Sequence, residues 1–141
     1  MFVLDTNVVS ELRKIAAGRA DRNVARWAES VDADSLYLSA ITILELEIGV
    51  LRLERRAAAS GSLIRDWFET RVIPEFDGRI LAVDAAVARR CARLHSPDPL
   101  PERDALIAAT ALVHGMTIVT RNESDFNATG APVLNPWTRR R

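Results

Sequence analysis

The chain has 141 residues, of which 48% are hydrophobic and 27% are charged, and its 19 Lys and Arg residues balance its 19 Asp and Glu residues. This composition is typical of an ordinary folded protein and excludes a disordered chain, so we expect a single domain over residues 1–141. The balanced charge excludes a global positive field that would attract nucleic acid, so a nucleic-acid substrate would need local arginines or a metal.

The chain opens with a short apolar run, Met1–Leu4, which predicts a buried strand that ends at Asp5. Ligands of parallel sheets bind just beyond the carboxyl ends of the strands, so Asp5 is expected at the edge of a site. Asp5 could instead only cap the helix that follows. The apolar run meets this acid too soon for a secretory signal, and no later run reaches membrane-spanning length, so we expect a cytoplasmic protein.

Helical and strand patterns alternate along the rest of the chain. The further predicted strands are residues 36–39, 79–84, 116–120 and 132–135. The predicted helices are residues 21–31, 41–56, 63–72, 85–94 and 102–114. This alternation predicts an α/β fold with a parallel sheet, right-handed crossovers and the last strand at the sheet edge.

Local signals set the boundaries of the two central helices. Ser39 or Thr42 can cap the helix over residues 41–56. The Ser60–Ser62 stretch, with a glycine at its centre, predicts a break before the next helix, and Pro74 predicts the end of that helix.

Cysteine and histidine are scarce in this chain. Cys91 is the only cysteine and cannot form an internal disulfide, so we interpret it as a structural thiol. With only His95 and His114 beside it, the chain lacks the ligands for a zinc site of the Cys/His type. Any metal must therefore be held mainly by oxygen.

Four carboxylates fall at corresponding ends of the predicted elements. Asp5 follows the first strand and Asp125 follows the fourth. Glu45 lies in the first turns of the helix after the second strand, and Asp104 lies in the first turn of the helix before the fourth. In a parallel sheet all four can converge on one edge. Such a cluster is costly without a cation, and oxygen ligands suit Mg²⁺ or Mn²⁺, so the pattern predicts metal-dependent phosphodiester hydrolysis.

Each acid also has a purely structural interpretation. Asp104 would favour the helix dipole, Asp125 could be a turn residue and Glu45 could be a solvated helix residue. Glu47 is the alternative to Glu45 on the same helix. We favour Glu45, which lies between two leucines, and interpret Glu47 as solvent-facing.

Four motifs and a closing strand span nearly the whole chain. They are Leu4-Asp5-Thr6-Asn7, the run Ser39–Gly49, the run Asp104–Ala111, Thr120-Arg121-Asn122 with Asp125-Phe126, and the closing Val133–Trp137. In these motifs the chain resembles the PIN-domain ribonucleases, and in particular the VapC toxins of bacterial type II toxin-antitoxin modules.

The resemblance implies a PIN domain with a central five-stranded parallel sheet flanked by helices on both faces. It also implies a toxin that acts as a Mg²⁺- or Mn²⁺-dependent endoribonuclease and is inhibited by a cognate VapB-like antitoxin. The expected assembly is a homodimer that reaches operator DNA only through the antitoxin.

The resemblance assigns the catalytic roles to Asp5, Glu45, Asp104 and Asp125. The metal ligands are expected to be Asp5, Asp104 and Asp125, with Glu45 as a further ligand or as the base that positions water. The residues expected to orient these acids or the substrate are Thr6, Asn7, Thr120, Arg121 and Asn122. Asn122 stands where some relatives carry another acid, which leaves open whether one or two metals bind.

Partner contacts follow from the same resemblance. An inhibiting antitoxin peptide needs an apolar groove, although core packing is the default for aromatic residues at helical spacing. The residues that could line it are Trp27, Leu51, Ile64, Trp67 and Phe68. Arg121 is the better candidate for a phosphate contact, since a basic tail such as Arg139–Arg141 is more often solvated.

Two other functions remain as alternatives. An aspartyl-phosphate enzyme also places an Asp after its first strand, but such phosphatases need a second Asp where Asn7 stands, and both types need a late lysine, whereas the only Lys is Lys14. The second is a catalytically weak PIN-like binding module that acts with its antitoxin on operator DNA. The full set of acids argues against it.

Overall fold

The computed structural model describes residues 1–138. Its strands are β1 (Phe2–Leu4), β2 (Leu36–Ser39), β3 (Ile80–Leu81), β4 (Thr117–Val119) and β5 (Val133–Leu134). They form one parallel sheet in the order β3-β2-β1-β4-β5, so the last strand lies at an edge as predicted. The predicted α/β fold with five parallel strands is confirmed. The basic tail, Arg139–Arg141, lies outside the described residues.

The helices alternate with these strands. They are α1 (Thr6–Leu12), α2 (Arg22–Ser30), α3 (Ala40–Arg56), α4 (Ala58–Trp67), α5 (Ile73–Glu75), α6 (Ala85–Leu94) and α7 (Glu102–His114). The predictions for α2, α3, α6 and α7 are confirmed to within a residue or two at each end. None of the helices within residues 1–138 has the length and apolar character needed to cross a membrane.

The central strand β1 is buried on both of its faces. Val3 packs with Ile107 of α7 on one face of the sheet, and Leu4 packs with Val8 of α1 and Val50 of α3 on the other. Because successive side chains of a strand point to opposite faces, this strand connects two apolar cores. The helices therefore cover both faces of the sheet, as the resemblance implies.

The junction between β2 and α3 explains why the helix starts at the edge of the sheet. The Ser39 hydroxyl accepts a hydrogen bond from the Ile41 N–H at 3.0 Å and so caps α3. Thr42 is fully buried and lies 3.5 Å from the carbonyl oxygen of Leu4. Of the two predicted caps, Ser39 is therefore the one that the structure uses.

The prediction for the segment after α3 is wrong at both ends. The chain breaks at Ala57, which is extended, and α4 then runs through Ser60–Ser62 without interruption. Pro74 does not end the helix either, because it lies in the first turn of α5 after a π-helical turn at Phe68–Val72. The backbone is already helical through Val72 and Ile73, so Pro74 lies inside a helical segment and removes one potential backbone hydrogen bond next to the π-helical turn.

Gly61 marks a close approach of α4 to α3 and not a helix break. A Cβ atom at this position would overlap the backbone of Glu54. We expect Gly61→Ala to destabilise the protein by about 2 kcal/mol, because backbone atoms can yield only by separating the two helices. Gly49→Ala is the matched control, since a Cβ there meets nothing within 4 Å.

The two alanine substitutions are expected to change the free energy of unfolding, measured with urea, in opposite directions. Gly49→Ala gains up to about 1 kcal/mol from helix propensity, while Gly61→Ala loses stability. Equal stabilisation of both variants would show that Gly61 is an ordinary helix residue.

Candidate functional site

Asp5 is held rigidly at the carboxyl end of β1. The residue is only 7% exposed, and its carboxylate accepts hydrogen bonds from the Thr6 N–H at 2.8 Å, the Thr120 hydroxyl at 2.8 Å and the Asn7 amide at 3.2 Å. Burial raises the pKa of Asp5, and the nearby charge of Glu45 adds to this, while the three hydrogen bonds counteract the rise. Asp5 also caps α1, so its two interpretations are compatible.

A polar network joins the ends of β1 and β4 around this acid. The Thr120 hydroxyl oxygen accepts from the Asn7 amide at 3.3 Å and from the Asn122 N–H at 3.0 Å. The Arg121 N–H donates to the Asn7 side-chain oxygen at 3.2 Å. Arg121 and Asn122 thus enter the network through their backbones. The Arg121 guanidinium lies over the Trp137 ring, 5.3 Å from its centroid.

Glu45 projects from α3 to the same edge. The Thr6 hydroxyl donates to one of its carboxylate oxygens at 2.7 Å. Glu47, the alternative, instead forms an ion pair with Arg65 at 2.7 Å, and its side chain is 41% exposed, against 26% for Glu45. The geometry therefore associates Glu45 with Asp5 through Thr6 and assigns Glu47 to the contact between α3 and α4.

Asp104 lies in the first turn of α7, and Asp125 lies in a 3₁₀ turn, Glu123–Asp125, that follows β4. Burial, together with the negative charges of Asp125, Asp5 and Glu45, raises the pKa of Asp104 to about 6. Each of the predicted acids is thus close enough to affect Asp104. Within residues 1–138, no group donates a hydrogen bond to the carboxylate of Asp104 or Asp125. No cation in that range forms an ion pair with either carboxylate.

The donor set at this edge fits a hard divalent cation. Two of the carboxylates have no protein partner within the described range, and the site would otherwise leave several negative charges uncompensated. Carboxylate oxygens are the ligands that Mg²⁺ and Mn²⁺ prefer. The arrangement could therefore bind such a cation and present it to a phosphate group.

A second group of potential ligands lies between α6 and α7. The ligand atoms of Cys91, His95 and Glu102 all lie within 4.8 Å of one another. The carboxylate oxygens of the four acids do not all lie that close together. The His95 Nε2 is 3.4 Å from Glu102 and 3.7 Å from the Cys91 sulfur. These three residues are the only such group within residues 1–138.

Hydrogen bonding at His95 opposes metal binding by that group. The Leu100 N–H donates to His95 Nδ1 at 3.0 Å, so the neutral ring carries its proton on Nε2. A metal would need the lone pair of that same Nε2. Burial also raises the pKa of the Cys91 thiol, which disfavours the thiolate. The three residues are better explained as contacts that hold the loop before α7 in place. This agrees with the interpretation of Cys91 as structural.

The residues predicted to line an antitoxin groove do not form one surface. Phe68 is buried in the core, Trp27 packs edge-on against Phe2 and Leu51 is exposed on α3. Of the predicted set, only Trp67 lines the apolar groove of about 210 Å³ between α1 and the α4–α5 segment. None of the four acids lines that groove, which includes Leu12 at the end of α1 and Leu36 at the start of β2.

Sequence reasoning missed one residue at the site, Arg103. Its guanidinium Nη1 lies 3.8 Å from a carboxylate oxygen of Glu45. The available signal was its position directly before Asp104 in the first turn of α7.

Comparisons with known proteins place the chain in a family. A family model described as PIN domain matches residues 2–132. The chain is 38% identical to VapC ribonuclease Y4jK of Sinorhizobium fredii, over 97% of this chain and 98% of the relative. It is 37% identical to toxin FitB of Neisseria gonorrhoeae, over 97% of this chain and 99% of the relative.

Solved structures show the same fold. The crystal structure of FitAcB from Neisseria gonorrhoeae matches with a TM-score of 0.86 and 35% identity, over 97% of this chain and 99% of that chain. A toxin-antitoxin complex from Klebsiella pneumoniae matches with a TM-score of 0.63 and 27% identity, over 96% of this chain and 98% of that chain.

The raised pKa of Asp104 makes a prediction for the stability of the metal-free protein. A carboxyl whose folded-state pKa lies above its unfolded value of 3.8 contributes stability that is complete below pH 3.8 and is lost as the pH rises through about 6. We therefore expect Asp104→Asn to be more stable than the wild type at pH 8 in EDTA, by about 1 kcal/mol after allowance for solvent screening.

This advantage of Asp104→Asn should shrink as the pH falls towards 4. Urea unfolding at several pH values measures it, with Asp66→Asn on the exposed surface of α4 as the control that shows no such trend. A change in the free energy of unfolding of Asp104→Asn that is independent of pH would contradict the proximity of the acids.

Proposed function

The chain belongs to the PIN-domain family that includes the VapC ribonucleases, and on this basis we propose that residues 1–141 form one PIN domain that acts as a toxin-antitoxin endoribonuclease. Two observations support the proposal: Thr6 donates hydrogen bonds to both Asp5 and Glu45, and burial together with the charges of Asp125, Asp5 and Glu45 raises the pKa of Asp104 to about 6. The choice of RNA as substrate rests on the relatives named VapC ribonuclease. The proposed cofactor is Mg²⁺ or Mn²⁺.

The residues that would hold the ion are Asp5, Asp104 and Asp125. Three donors fix the orientation of Asp5, while Asp104 and Asp125 keep carboxylate oxygens free of partners within residues 1–138. When bound, the ion would lower the pKa of a water molecule and offset negative charge on the phosphate. Glu45, which Thr6 holds through one oxygen, would orient that water through its other oxygen.

The acid network is expected to be essential for RNA cleavage. We expect Asp5→Asn and Asp104→Asn each to lower cleavage of labelled RNA by about a hundredfold or more and to relieve growth arrest in cells. EDTA should abolish cleavage by the wild type, and Mg²⁺ or Mn²⁺ should restore it. Glu102→Gln is a matched control, because Glu102 shares the first turn of α7 but pairs with His95.

Cleavage and toxicity that persist in both Asn variants would contradict the nuclease proposal. Circular dichroism of the variants separates loss of chemistry from loss of folding.

The proposed partner is a VapB-like antitoxin, which would also provide the contact with operator DNA. The Klebsiella pneumoniae structure with the same fold is a toxin-antitoxin complex. The apolar groove beside α1 suits such a partner, since Val9, Leu12 and Trp67 line it and arginines surround it. The proposal includes the homodimer, which light scattering of the purified toxin tests.

Arg71 at the rim of the groove offers a test of this partner. It is exposed and forms no ion pair within residues 1–138, whereas Arg79 at the same rim pairs with Glu75. We expect Arg71→Glu to weaken antitoxin binding about tenfold in calorimetry, because it reverses the charge presented to the partner. RNA cleavage should not change.

Arg26→Glu on α2 is the control for charge reversal alone, because Arg26 is exposed but does not line this groove. Equal affinities for the antitoxin in both variants would place the antitoxin elsewhere on the toxin.

A further inference from the structure

Arg103 is the one cation that the structure places against the acids. Among residues 1–138, no other Lys or Arg nitrogen lies within 4.0 Å of an oxygen of the four carboxylates. The side chain projects from the first turn of α7, next to Asp104, and is 50% exposed. It therefore lies where a substrate would approach the site.

The contact between Arg103 and Glu45 is weak. The distance of 3.8 Å exceeds the usual N–H···O range, and exposed pairs of this kind contribute little stability. Glu45 does not depend on Arg103 for its position, because Thr6 holds its other oxygen at 2.7 Å. The guanidinium can therefore leave Glu45 at small cost.

The other arginine near the site is already engaged. The Arg121 guanidinium lies over the Trp137 ring, and its backbone N–H donates to Asn7. The stacking holds the Arg121 guanidinium on the Trp137 ring, and within residues 1–138 it forms no ion pair with the four acids, whereas Arg103 lies against Glu45.

The charge of the site favours a cation such as Arg103 beside the acids. Four carboxylates converge there, and the chain as a whole is neutral, so no general field counteracts repulsion of an RNA phosphate. A guanidinium is suited to phosphate because its planar N–H groups can bind two oxygens at once.

We propose that Arg103 binds a phosphate of the RNA substrate at the acid site and rests on Glu45 when RNA is absent. The proposal rests on the nuclease function proposed above. Arg103 would raise the affinity for RNA, while its positive charge beside Glu45 would oppose a divalent cation at the same acids. Its removal should therefore have opposite effects on the two ligands, which a merely structural residue would not produce.

RNA binding is measured in EDTA, where cleavage cannot interfere, by fluorescence anisotropy of a short labelled single-stranded RNA. We expect Arg103→Ala to weaken binding about tenfold and to reduce the slope of log K against log salt concentration by about 0.7, the value for one lost phosphate contact on a single strand. Arg103→Lys keeps the charge, so it should retain the salt slope while losing part of the affinity.

Metal binding is measured without RNA, by titration of Mn²⁺ into the metal-free protein. We expect Arg103→Ala to bind Mn²⁺ more tightly than the wild type, by about threefold, since one nearby positive charge is removed. Arg26→Ala is the matched control, because Arg26 is an exposed helix arginine that makes no contact with the acids.

An RNA affinity and salt slope for Arg103→Ala equal to those of Arg26→Ala would overturn the proposal, even if the wild type cleaves RNA. A wild type that neither binds Mn²⁺ nor cleaves RNA would instead reject the nuclease function on which it rests. Arg103→Gln, which removes the charge but keeps a polar side chain with part of the aliphatic stem, replaces Arg103→Ala if that variant does not fold.

Discussion

The parallel pairing of β1 with β4 is the constraint on which the site depends. The Asp5 N–H donates to the Val119 carbonyl at 2.9 Å, and the Thr120 hydroxyl returns a hydrogen bond to the Asp5 carboxylate at 2.8 Å. Because parallel strands end at the same edge of a sheet, this pairing brings the start and the end of the chain together. The polar network of Asn7 and Thr120 then follows from the register of the two strands.

Assembly of the acids opposes folding, and the rest of the molecule compensates for it. Burial and mutual repulsion raise the pKa values of Asp5 and Asp104, so their ionised forms destabilise the metal-free protein. The apolar cores on both faces of β1 hold the acids in place despite this cost. A divalent cation would remove the repulsion. In the proposed nuclease, catalytic function and folding stability are therefore coupled through the same charges.

Features with a complete local signal could be predicted from the sequence. The helix α7 ends as expected because Gly115 provides its left-handed cap, and the acids were proposed as a site because strand ends mark the edge of a parallel sheet. Gly61 was misinterpreted because a glycine between two serines predicts a helix break from the local sequence. In the folded chain this glycine instead allows close contact with the backbone of Glu54. Arg103 was missed because its proximity to Glu45 exists only in the folded chain.

We propose that the four acids form one cation site. Isothermal titration of Mn²⁺ into the metal-free wild type, Asp5→Asn and Asp104→Asn proteins at pH 7.5 tests it most directly. We expect saturable binding by the wild type that is lost or greatly weakened in both variants, although Asp5 and Asp104 lie on different elements. The absence of binding by the wild type, or equal binding by all three folded proteins, would contradict it.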